Sequence, residues 1–545
     1  MVRGTGTSRS RPDGGGRSTV FGTRGAVACE HPEAALAGIR VLDAGGNAAD
    51  ACVAMAACMA VLAPMTTGMG GDAFLLFYEA AEGGSGRILG ADGSGRAPRE
   101  ATVEGMRAMG LKEMPERGGP TVTVPGAVRL WEDAAEHLGR LPLSALLEPA
   151  RRIAEEGFPV AEVAARYWET GRALLLRRDA AASEALLLPG GRAPGPGEVF
   201  HQPDLAATLA AVVEGGADAF YGGEIARSIA SSTREAGGFL SEEDLAAHET
   251  LWVEPISTDY RGVTVHEIPP PGQGIAALEM LNILEGFDMG SLDPSGAERV
   301  HLEVESKKLA YQDLYDEIGD PEFWSHAEAP TERLISKDYA RGLRARISPE
   351  RVSGRIAEPP LGEDTTYLCA VDAEGNGCSF INSLYMGFGS GVVARGTGVC
   401  LQNRGKSFLL DPDHPNGLAP GKRPLHTIIP GLATLDGALW AVFGNMGGPM
   451  QPQGHAQVLG NLIDHGMSPQ EAVDHPRHLH NEGVLLLEGR FPKDTVEELL
   501  RRGHDVSVGP DYAIPTGGAQ LIRVLGNGVR ACGSDPRKDG CALAQ

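Results

Sequence analysis

The sequence lacks the motifs of the common hydrolase and nucleotide-binding classes. It has no G-x-S-x-G elbow for a serine nucleophile, no H-E-x-x-H zinc motif and no Walker loop for phosphates. Its eight cysteines form no C-x-x-C pair, and several lie in apolar runs, which favours buried, reduced thiols. A disulfide between Cys369 and Cys378, which flank a turn, is the alternative. A catalytic function would therefore need another kind of nucleophile.

Clustered basic charge and long apolar runs are also missing. The formal net charge is -24, whereas a nucleic-acid partner requires clustered Lys and Arg, so no such partner is expected. The longest apolar run, residues 51–64, is too short to cross a bilayer and predicts a buried helix, so no membrane partner is expected either. Residues 1–18 contain no apolar segment, which predicts a disordered tail, no secretory signal and a cytoplasmic location.

Helical patterns dominate the first part of the chain and strand patterns the last. There is no regular βαβ alternation, which favours α+β layers over a doubly wound sheet. Gly45-Gly46 closes one predicted helix and Asn47 caps the next. The predicted helices include residues 32–43, 47–63, 275–284 and 297–315. The predicted strands include residues 73–78, 251–257, 262–268, 428–435 and 439–443.

Two weaker patterns resemble cofactor or metal motifs only superficially. Residues 68–73 and 272–277 match the G-x-G-x-x-A form of the dinucleotide fingerprint, but the first glycines precede their strand and the second follow three prolines. His475, His478 and His480 form a cluster without a Cys or His pair at ligand spacing. No cofactor and no metal are therefore expected, and these histidines are interpreted as surface or supporting residues.

The most informative stretch is residues 364–372. A charged, Pro-rich segment ends at Asp364, and a strand-like run of Thr, Tyr, Leu, Cys and Val begins without a linker. The chain turns at Asn376-Gly377 into a second strand at residues 378–384, which predicts a hairpin. The unusual feature is the acidic entry directly before Thr365-Thr366.

Thr365 is a candidate nucleophile created when the chain cuts itself before this residue. A threonine hydroxyl needs a base, and an N-terminal threonine carries one in its own α-amine, whose pKa is about 8. Acyl transfer also needs oxyanion donors, and Gly447-Gly448, after a predicted strand, can present two backbone amides with no Cβ in the way. Taken alone, Thr365-Thr366 can also be only the start of a strand, and Gly447-Gly448 only a tight turn.

Eight short motifs occur along nearly the whole chain, from about residue 25 to residue 539. They are G-G-N-A-A-D-A at 45–51, T-G-M-G-G at 67–71, V-P-G at 124–126, P-P-G at 270–272, D-T-T at 364–366, P-G-K-R-P at 420–424, Gly447-Gly448 and S-D-P-R at 534–537. In this combination and order the chain resembles the γ-glutamyltransferase family of N-terminal nucleophile hydrolases. The resemblance implies an α+β fold of the four-layer αββα sandwich type.

The resemblance also implies a zymogen that cleaves itself between Asp364 and Thr365. Residues 19–364 would become a large subunit and residues 365–545 a small subunit, both within one αββα unit. The new N-terminal threonine would attack a γ-amide carbonyl, form an acyl-enzyme and pass the acyl group to water or an amine. Ser383 would support the nucleophile, and the glycine pair would bind the oxyanion. The implied catalytic residues are Thr365, Ser383, Gly447 and Gly448.

The residues that bind the substrate depart from the family pattern. Ser94 stands where the family has its carboxylate-binding Arg, and Arg96 follows two residues later. The amine-binding Asn-Asn-Gln-x-x-Asp stretch here reads Gln402-Asn403-Arg404-Gly405-Lys406-Ser407, so Arg404 replaces an amide and Ser407 replaces the acid. A protonated substrate α-amine facing Arg404 would be repelled. The implied substrate-binding residues are Arg96, Arg404, Tyr385, His426 and Thr427.

The predicted function is an autoprocessed amide hydrolase or acyltransferase that cleaves γ-glutamyl (glutathione-like) or related amide bonds. Its partners are a small-molecule amide substrate and its own two subunits. The first alternative is a hydrolase of non-amino dicarboxylic monoamides, similar to the family's cephalosporin-acylase-like and oxamate-amidase-like branch, with Arg404 or Arg96 holding the free carboxylate. The second alternative is an uncleaved, non-catalytic relative.

Overall fold

The structure is a computed structural model that describes residues 17–81, 84–178, 180–324, 329–354, 356 and 364–545. Residues 1–16 of the predicted tail, and residues 357–363 before the predicted cleavage bond, lie outside the described residues. The described part of the chain folds into helices and predominantly antiparallel strands.

The strands, numbered in chain order, are β1 (Val20–Gly22), β2 (Ala26–Cys29), β3 (Asp72–Glu79), β4 (Arg87–Gly93), β5 (Phe158–Pro159), β6 (Val199–Phe200), β7 (Leu251–Val253), β8 (Ile256–Tyr260), β9 (Val263–Glu267), β10 (Asp364–Val371), β11 (Gly377–Tyr385), β12 (Val393–Ala394), β13 (Val399–Cys400), β14 (Gly431–Leu435), β15 (Ala438–Asn445), β16 (His478–Asn481), β17 (Val484–Leu487), β18 (Asp505–Val508), β19 (Ala519–Val524), β20 (Arg530–Ser534) and β21 (Cys541–Ala544).

The helices are α1 (Pro32–Asp43), α2 (Ala48–Leu62), α3 (Val103–Ala108), α4 (Ala127–His137), α5 (Leu143–Glu156), α6 (Glu162–Arg178), α7 (Ala180–Leu186), α8 (Pro203–Gly215), α9 (Asp218–Tyr221), α10 (Gly223–Glu235), α11 (Glu242–Ala246), α12 (Gly274–Leu284), α13 (Ala297–Glu317), α14 (Thr331–Leu334), α15 (Lys337–Arg344), α16 (Met450–Ile463), α17 (Pro469–Asp474) and α18 (Lys493–Arg501). A 3₁₀ turn covers Arg404–Ser407.

Two antiparallel sheets of seven strands each form the centre of the molecule. The strand order is β21-β2-β10-β11-β3-β4-β7 in the first sheet and β1-β20-β19-β15-β14-β9-β8 in the second. Both sheets mix strands from before and after Asp364: β10 pairs with β2, and β14 pairs with β9. Each part of the chain therefore completes the hydrogen bonding of the other.

The two sheets pack face to face, and helices cover their outer faces. Along β10, Tyr367, Cys369 and Val371 pack with residues of the second sheet, whereas Leu368 and Ala370 pack with helices such as α1, α2 and α5, because strand side chains alternate between the faces. Helices α12, α13 and α16 pack on the outer face of the second sheet. The layers are therefore α, β, β and α, which confirms the predicted α+β sandwich.

Helix α2 is the buried helix behind the first sheet. All of its residues are buried, as the apolar run 51–64 predicted. The Asn47 side chain accepts hydrogen bonds from the amides of Ala49 and Asp50, and Asp50 Oδ2 accepts one from the Asn47 amide. This reciprocal capping satisfies amides that a helix start leaves without partners. The predicted Asn cap is therefore confirmed.

The predicted hairpin is confirmed as β10 and β11 at the centre of the first sheet. All eight cysteines are free thiols. Seven of them are buried and Cys541 is half-buried. The prediction of buried, reduced thiols is confirmed, and no disulfide joins Cys369 to Cys378 across the turn.

Two predictions from the sequence are wrong in detail. The single strand predicted at 251–257 is two strands, because β7 pairs with β4 in the first sheet and β8 pairs with β9 in the second. Pro255 lies between them and cannot donate a ladder hydrogen bond. For His478 and His480 the surface alternative is also wrong, while the supporting alternative stays a prediction: each is 3% exposed, and their rings contact Glu303 and Lys307 of α13.

The helices of the described residues also bear on membrane insertion. None of the helices there combines the length and apolar character that crossing a bilayer requires.

The close approach of the two sheets predicts a strong effect at Gly444. A Cβ built on Gly444 would overlap the ring of Tyr367 on the facing sheet. Overpacking a close-packed interior commonly costs about 1–3 kcal/mol, so Gly444→Ala should lower the melting temperature clearly. The matched control is Gly342→Ala on the exposed face of α15, where a Cβ meets nothing within 4 Å and Ala favours the helix. Equal melting temperatures for the two variants would contradict the packing described here.

Candidate active site

Thr365 lies in a β-bulge where β10 meets β11. Asp364 is opposite Tyr385 and Thr366 is opposite Asn382, so the register shifts at Thr365. A bulge redirects a side chain that a regular strand would place elsewhere. Thr365 Oγ1 lies 3.2 Å from Ser383 Oγ, and Thr365 is only 2% exposed. The structure therefore joins the two hydroxyls that the sequence predicted to act together.

Ser383 is held in turn by the backbone of β11. Its Oγ accepts a hydrogen bond of 2.8 Å from the Tyr385 amide. Tyr385 has a φ of 82°, a left-handed conformation that side chains other than Gly rarely adopt. Such backbone strain is concentrated at functional sites because the surrounding structure must enforce it.

Thr366 has different surroundings from Thr365, although the two residues are adjacent. Thr366 Oγ1 lies 3.0 Å from Thr66 Oγ1 and donates a hydrogen bond of 3.2 Å to Glu30 Oε1. These contacts lie on the helix-covered side of the first sheet, next to the C-terminal end of α2. The structure therefore distinguishes the two threonines of the pair and assigns the contact with Ser383 to Thr365.

Arg404 is a fully buried cation next to Tyr385. Its guanidinium carbon lies 4.3 Å from the centre of the Tyr385 ring, a distance suited to a cation–π contact. Arg404 Nη1 donates a 2.7 Å hydrogen bond to Thr427 Oγ1. Burial lowers the pKa of Arg404 to about 10, which leaves it charged at neutral pH. Within the described residues, Arg404 Nε and Nη2 have no hydrogen-bond partner.

Asp72, which sequence reasoning missed, is the carboxylate beside Arg404. Its Oδ2 lies 3.8 Å from Arg404 Nε and accepts a 2.8 Å hydrogen bond from His426 Nε2. Its Oδ1 accepts hydrogen bonds from the Gly95 amide and from Gln402 Nε2. Burial raises the pKa of Asp72 to about 6, and Arg404 limits that rise. Burial also lowers the pKa of His426 well below its usual range, so its ring is neutral and donates.

The two predicted oxyanion glycines lie between β15 and α16. Gly447 and Gly448 have φ values of 111° and 54°, which suit glycine. In the part of the chain described, neither amide donates a hydrogen bond, so both can serve an incoming oxygen. Gln273 Nε2 donates to the carbonyl oxygens of Gly448 and Thr427. Gln273 thereby links the glycine loop to the acceptor of Arg404.

Most predicted site residues therefore belong to one contact network. It runs from Thr365 through Ser383, Tyr385, Arg404 and Thr427 to Gln273 and Gly448, with His426 and Asp72 attached. Ser407 supports the network from behind, since its hydroxyl donates to the carbonyl oxygens of Arg404 and Leu425.

Arg96 is not brought into this network. Its Nη2 donates to Glu322 Oε1 at 2.7 Å, and its Nη1 donates to the Gly421 carbonyl. The side chain is 34% exposed. Arg96 therefore already has an acidic partner, whereas Arg404 keeps unused donors. A group of potential cation ligands, Asp133, Glu136 and His137, lies on α4, which supplies no member of this network.

Comparisons with known proteins find similarity over nearly the whole chain. Residues 34–545 match the family model described as gamma-glutamyltranspeptidase. The glutathione hydrolase-like YwrD proenzyme of Bacillus subtilis (strain 168) is 39% identical over 96% of this chain and 99% of its own length. The acylase ACY 1 proenzyme of Pseudomonas sp. (strain SE83) is 36% identical over 97% and 95%. The crystal structure of cephalosporin acylase from Bacillus halodurans superposes with a TM-score of 0.90, at 42% identity, over 100% and 99% of the two chains.

The buried charge of Arg404 predicts an unequal cost for two Thr→Val substitutions. Thr427→Val removes the hydroxyl that accepts from a buried cation, whereas Thr208→Val removes one that donates to the neutral carbonyl of Thr397. Hydrogen bonds to charged groups are worth about 1.5–3 kcal/mol and neutral ones about 1 kcal/mol. Thr427→Val should therefore lower the melting temperature more. A larger loss in Thr208→Val would contradict the role given to Thr427.

Proposed function

The chain belongs to the gamma-glutamyltranspeptidase family of amide hydrolases, and we propose that it cuts itself before Thr365 and then hydrolyses amides whose acyl group carries a free carboxylate but no α-amine. The observation that carries the proposal is Arg404, a buried cation with unused donors in the same network as Thr365. The acceptor can be water or an amine.

Self-cleavage begins with Thr365 Oγ1, which attacks the carbonyl carbon of Asp364. The peptide C–N bond breaks, the nitrogen keeps its own proton and takes the one released by the Thr365 hydroxyl to become the new α-amine, and Asp364 becomes an ester on Thr365. Water hydrolyses the ester, which frees both the hydroxyl and the amine. Ser383 Oγ, 3.2 Å away, orients the attacking oxygen. Two relatives are named proenzymes, which supports this order of events.

In the processed enzyme the α-amine of Thr365 acts as the base. It takes the hydroxyl proton as Oγ1 attacks the substrate carbonyl, and it returns that proton to the departing amine. The amides of Gly447 and Gly448 stabilise the negative oxygen that develops on the carbonyl. Water then attacks the acyl-enzyme by the same proton transfers in reverse order, and the free acid leaves.

The free carboxylate of the substrate is assigned to Arg404 rather than to Arg96. Arg404 has two nitrogen donors without partners in the described structure, whereas the Arg96 guanidinium is paired with Glu322. An α-amine placed at Arg404 would bring two positive charges together in a buried site, where charge repulsion is poorly screened. Acyl groups of the glutaryl type avoid this repulsion.

A second candidate is hydrolysis of γ-glutamyl amides, and Asp72 is the observation that favours it. Its carboxylate lies 3.8 Å from Arg404 Nε and provides a negative charge near the same pocket. The relative named glutathione hydrolase-like also supports it. Asp72 already accepts hydrogen bonds from Gly95, Gln402 and His426, however, which leaves little capacity for a substrate amine.

Self-cleavage is tested on a denaturing gel. The purified protein should run as two pieces split between Asp364 and Thr365, whereas Thr365→Ala should remain one band because no hydroxyl can attack. Thr366→Ala is the matched control, since its hydroxyl contacts Thr66 and Glu30 instead, and it should still be cut. An uncut wild-type chain would rule out this part of the proposal.

Substrate choice is tested with glutaryl-p-nitroanilide and γ-glutamyl-p-nitroanilide, which differ only by the α-amine. The charge on Arg404 should favour the glutaryl compound by about 30-fold or more in kcat/KM, because losing or opposing a buried charge commonly costs about 2–5 kcal/mol. Arg404→Gln should narrow the difference. A clear preference of the wild type for the γ-glutamyl compound would favour the second candidate instead.

A further inference from the structure

The contact between Asp72 and Arg404 is close but incomplete. The two side chains are fully buried, yet their nearest charged atoms are 3.8 Å apart and share no hydrogen bond. A carboxylate and a guanidinium that pair fully form short, often double, hydrogen bonds. Here Asp72 compensates the charge of Arg404 without occupying its donors.

Three other donors hold Asp72 in this position. The Gly95 amide and Gln402 Nε2 bind one oxygen, and His426 Nε2 binds the other. Gln402 Nε2 also donates to Thr123 Oγ1 and to the Val124 carbonyl, which fixes it against a neighbouring segment. These contacts come from separate loops, so Asp72 cannot move onto Arg404 without breaking several of them.

We propose that Asp72 is a specificity-determining residue, which sets how strongly Arg404 binds a substrate carboxylate. The inference rests on the proposed function, because it takes Arg404 as the group that receives that carboxylate. With Asp72 ionised, the charge of Arg404 is partly compensated, and Arg404 attracts a substrate anion less strongly. With Asp72 protonated, the positive charge of Arg404 is uncompensated and attracts the same anion more strongly.

Among the described groups around Asp72 whose pKa is shifted, Asp72 is the one whose protonation changes between pH 5 and 8. Burial raises the pKa of Asp72 to about 6, and it lowers that of His248 to about 4. The pKa of His426 lies well below its usual range, that of Tyr221 lies above, and that of Arg404 is about 10. The remaining charged groups that face His426 and His248 are Asp92, Arg423, Arg129 and Arg96.

The direction of the effect follows from these charges. As the pH falls through about 6, Asp72 takes up a proton and the positive charge of Arg404 loses its compensation. Carboxylate binding should then strengthen by about 10-fold or more, a factor between those that one unit charge a few ångströms away produces in bulk water and at an effective protein dielectric of about 20. By linkage, a bound carboxylate must also favour protonation of Asp72, so binding near pH 6–7 should take up a proton.

The test compares glutaryl-p-nitroanilide with butyryl-p-nitroanilide on the processed enzyme from pH 5 to 8. The two compounds share the bond and the leaving group, so the ratio of their kcat/KM values cancels the titration of the Thr365 amine. In the wild type this ratio should rise about 10-fold as the pH falls from 8 to 5, mainly through the KM of the glutaryl compound.

Asp72→Asn is the decisive variant. Its Oδ1 can still accept from Gly95 and Gln402, and its amide can donate to His426 in the other tautomer. The ratio should be high and independent of pH. Asp372→Asn is the matched control, because Asp372 is also a buried carboxylate with a raised pKa but lies at the far end of β10. It should keep the pH dependence of the wild type.

A pH-dependent ratio in Asp72→Asn, or a pH-independent ratio in the wild type, would overturn the inference. If Asp72→Asn does not fold, calorimetry of glutarate binding to the wild type decides instead. Titrations at pH 6.5 in two buffers of different ionisation heat should show proton uptake, and its absence counts against Asp72. Failure of the proposed function is distinct, because it appears as missing self-cleavage or missing hydrolysis of both anilides.

Discussion

The site depends on keeping one positive charge out of water. Arg404 is fully buried, and a buried charge is costly unless nearby groups compensate it. Its compensation comes from a ring in β11, a hydroxyl before β14 and a carboxylate at the start of β3. These elements are distant in the sequence, so the cost of burying Arg404 is met only when both sheets and their connecting loops have assembled. The same contacts bring Thr365, Ser383 and the glycine loop into one network.

The sequence predicted much of this arrangement and missed one central residue. The hairpin and the Asn47 cap follow from local patterns, whereas the contact of Thr365 with Ser383 follows from the resemblance to the family. Asp72 was not predicted because its role depends on loops that are contributed by residues hundreds of positions away. One signal was present: an acid opens strand β3 and is followed directly by six apolar or aromatic residues, so a buried strand would also bury this carboxylate. Arg96 misled for the same reason, since its partner Glu322 is remote in sequence.

The glycines that resembled a nucleotide-binding fingerprint have a packing role instead. A Cβ on Gly70 would overlap the carbonyl of Cys400, and Gly70 forms a bridge with Leu401. Gly272 forms a bridge with His426, next to Thr427. Because glycine has no side chain, two backbone segments can approach closely at each of these positions. This close approach places Gln402 and His426 beside Asp72. The same residue type can therefore serve phosphate binding in one fold and loop-to-loop contact in another.

The interleaving of strands has a consequence for the lifetime of the protein. While the chain is intact, β2 and β10 belong to one polypeptide, and folding is an intramolecular process that is independent of concentration. With the proposed cut before Thr365, the same hydrogen bonds would join two polypeptides, and recovery after unfolding would require them to meet again. The folded fraction of the cleaved protein would then fall on dilution. The lifetime of its native state would be set by the rate of unfolding rather than by the folding equilibrium. The uncut chain would therefore fold on its own, whereas the two cut chains would regain the native structure only at a concentration high enough for them to associate.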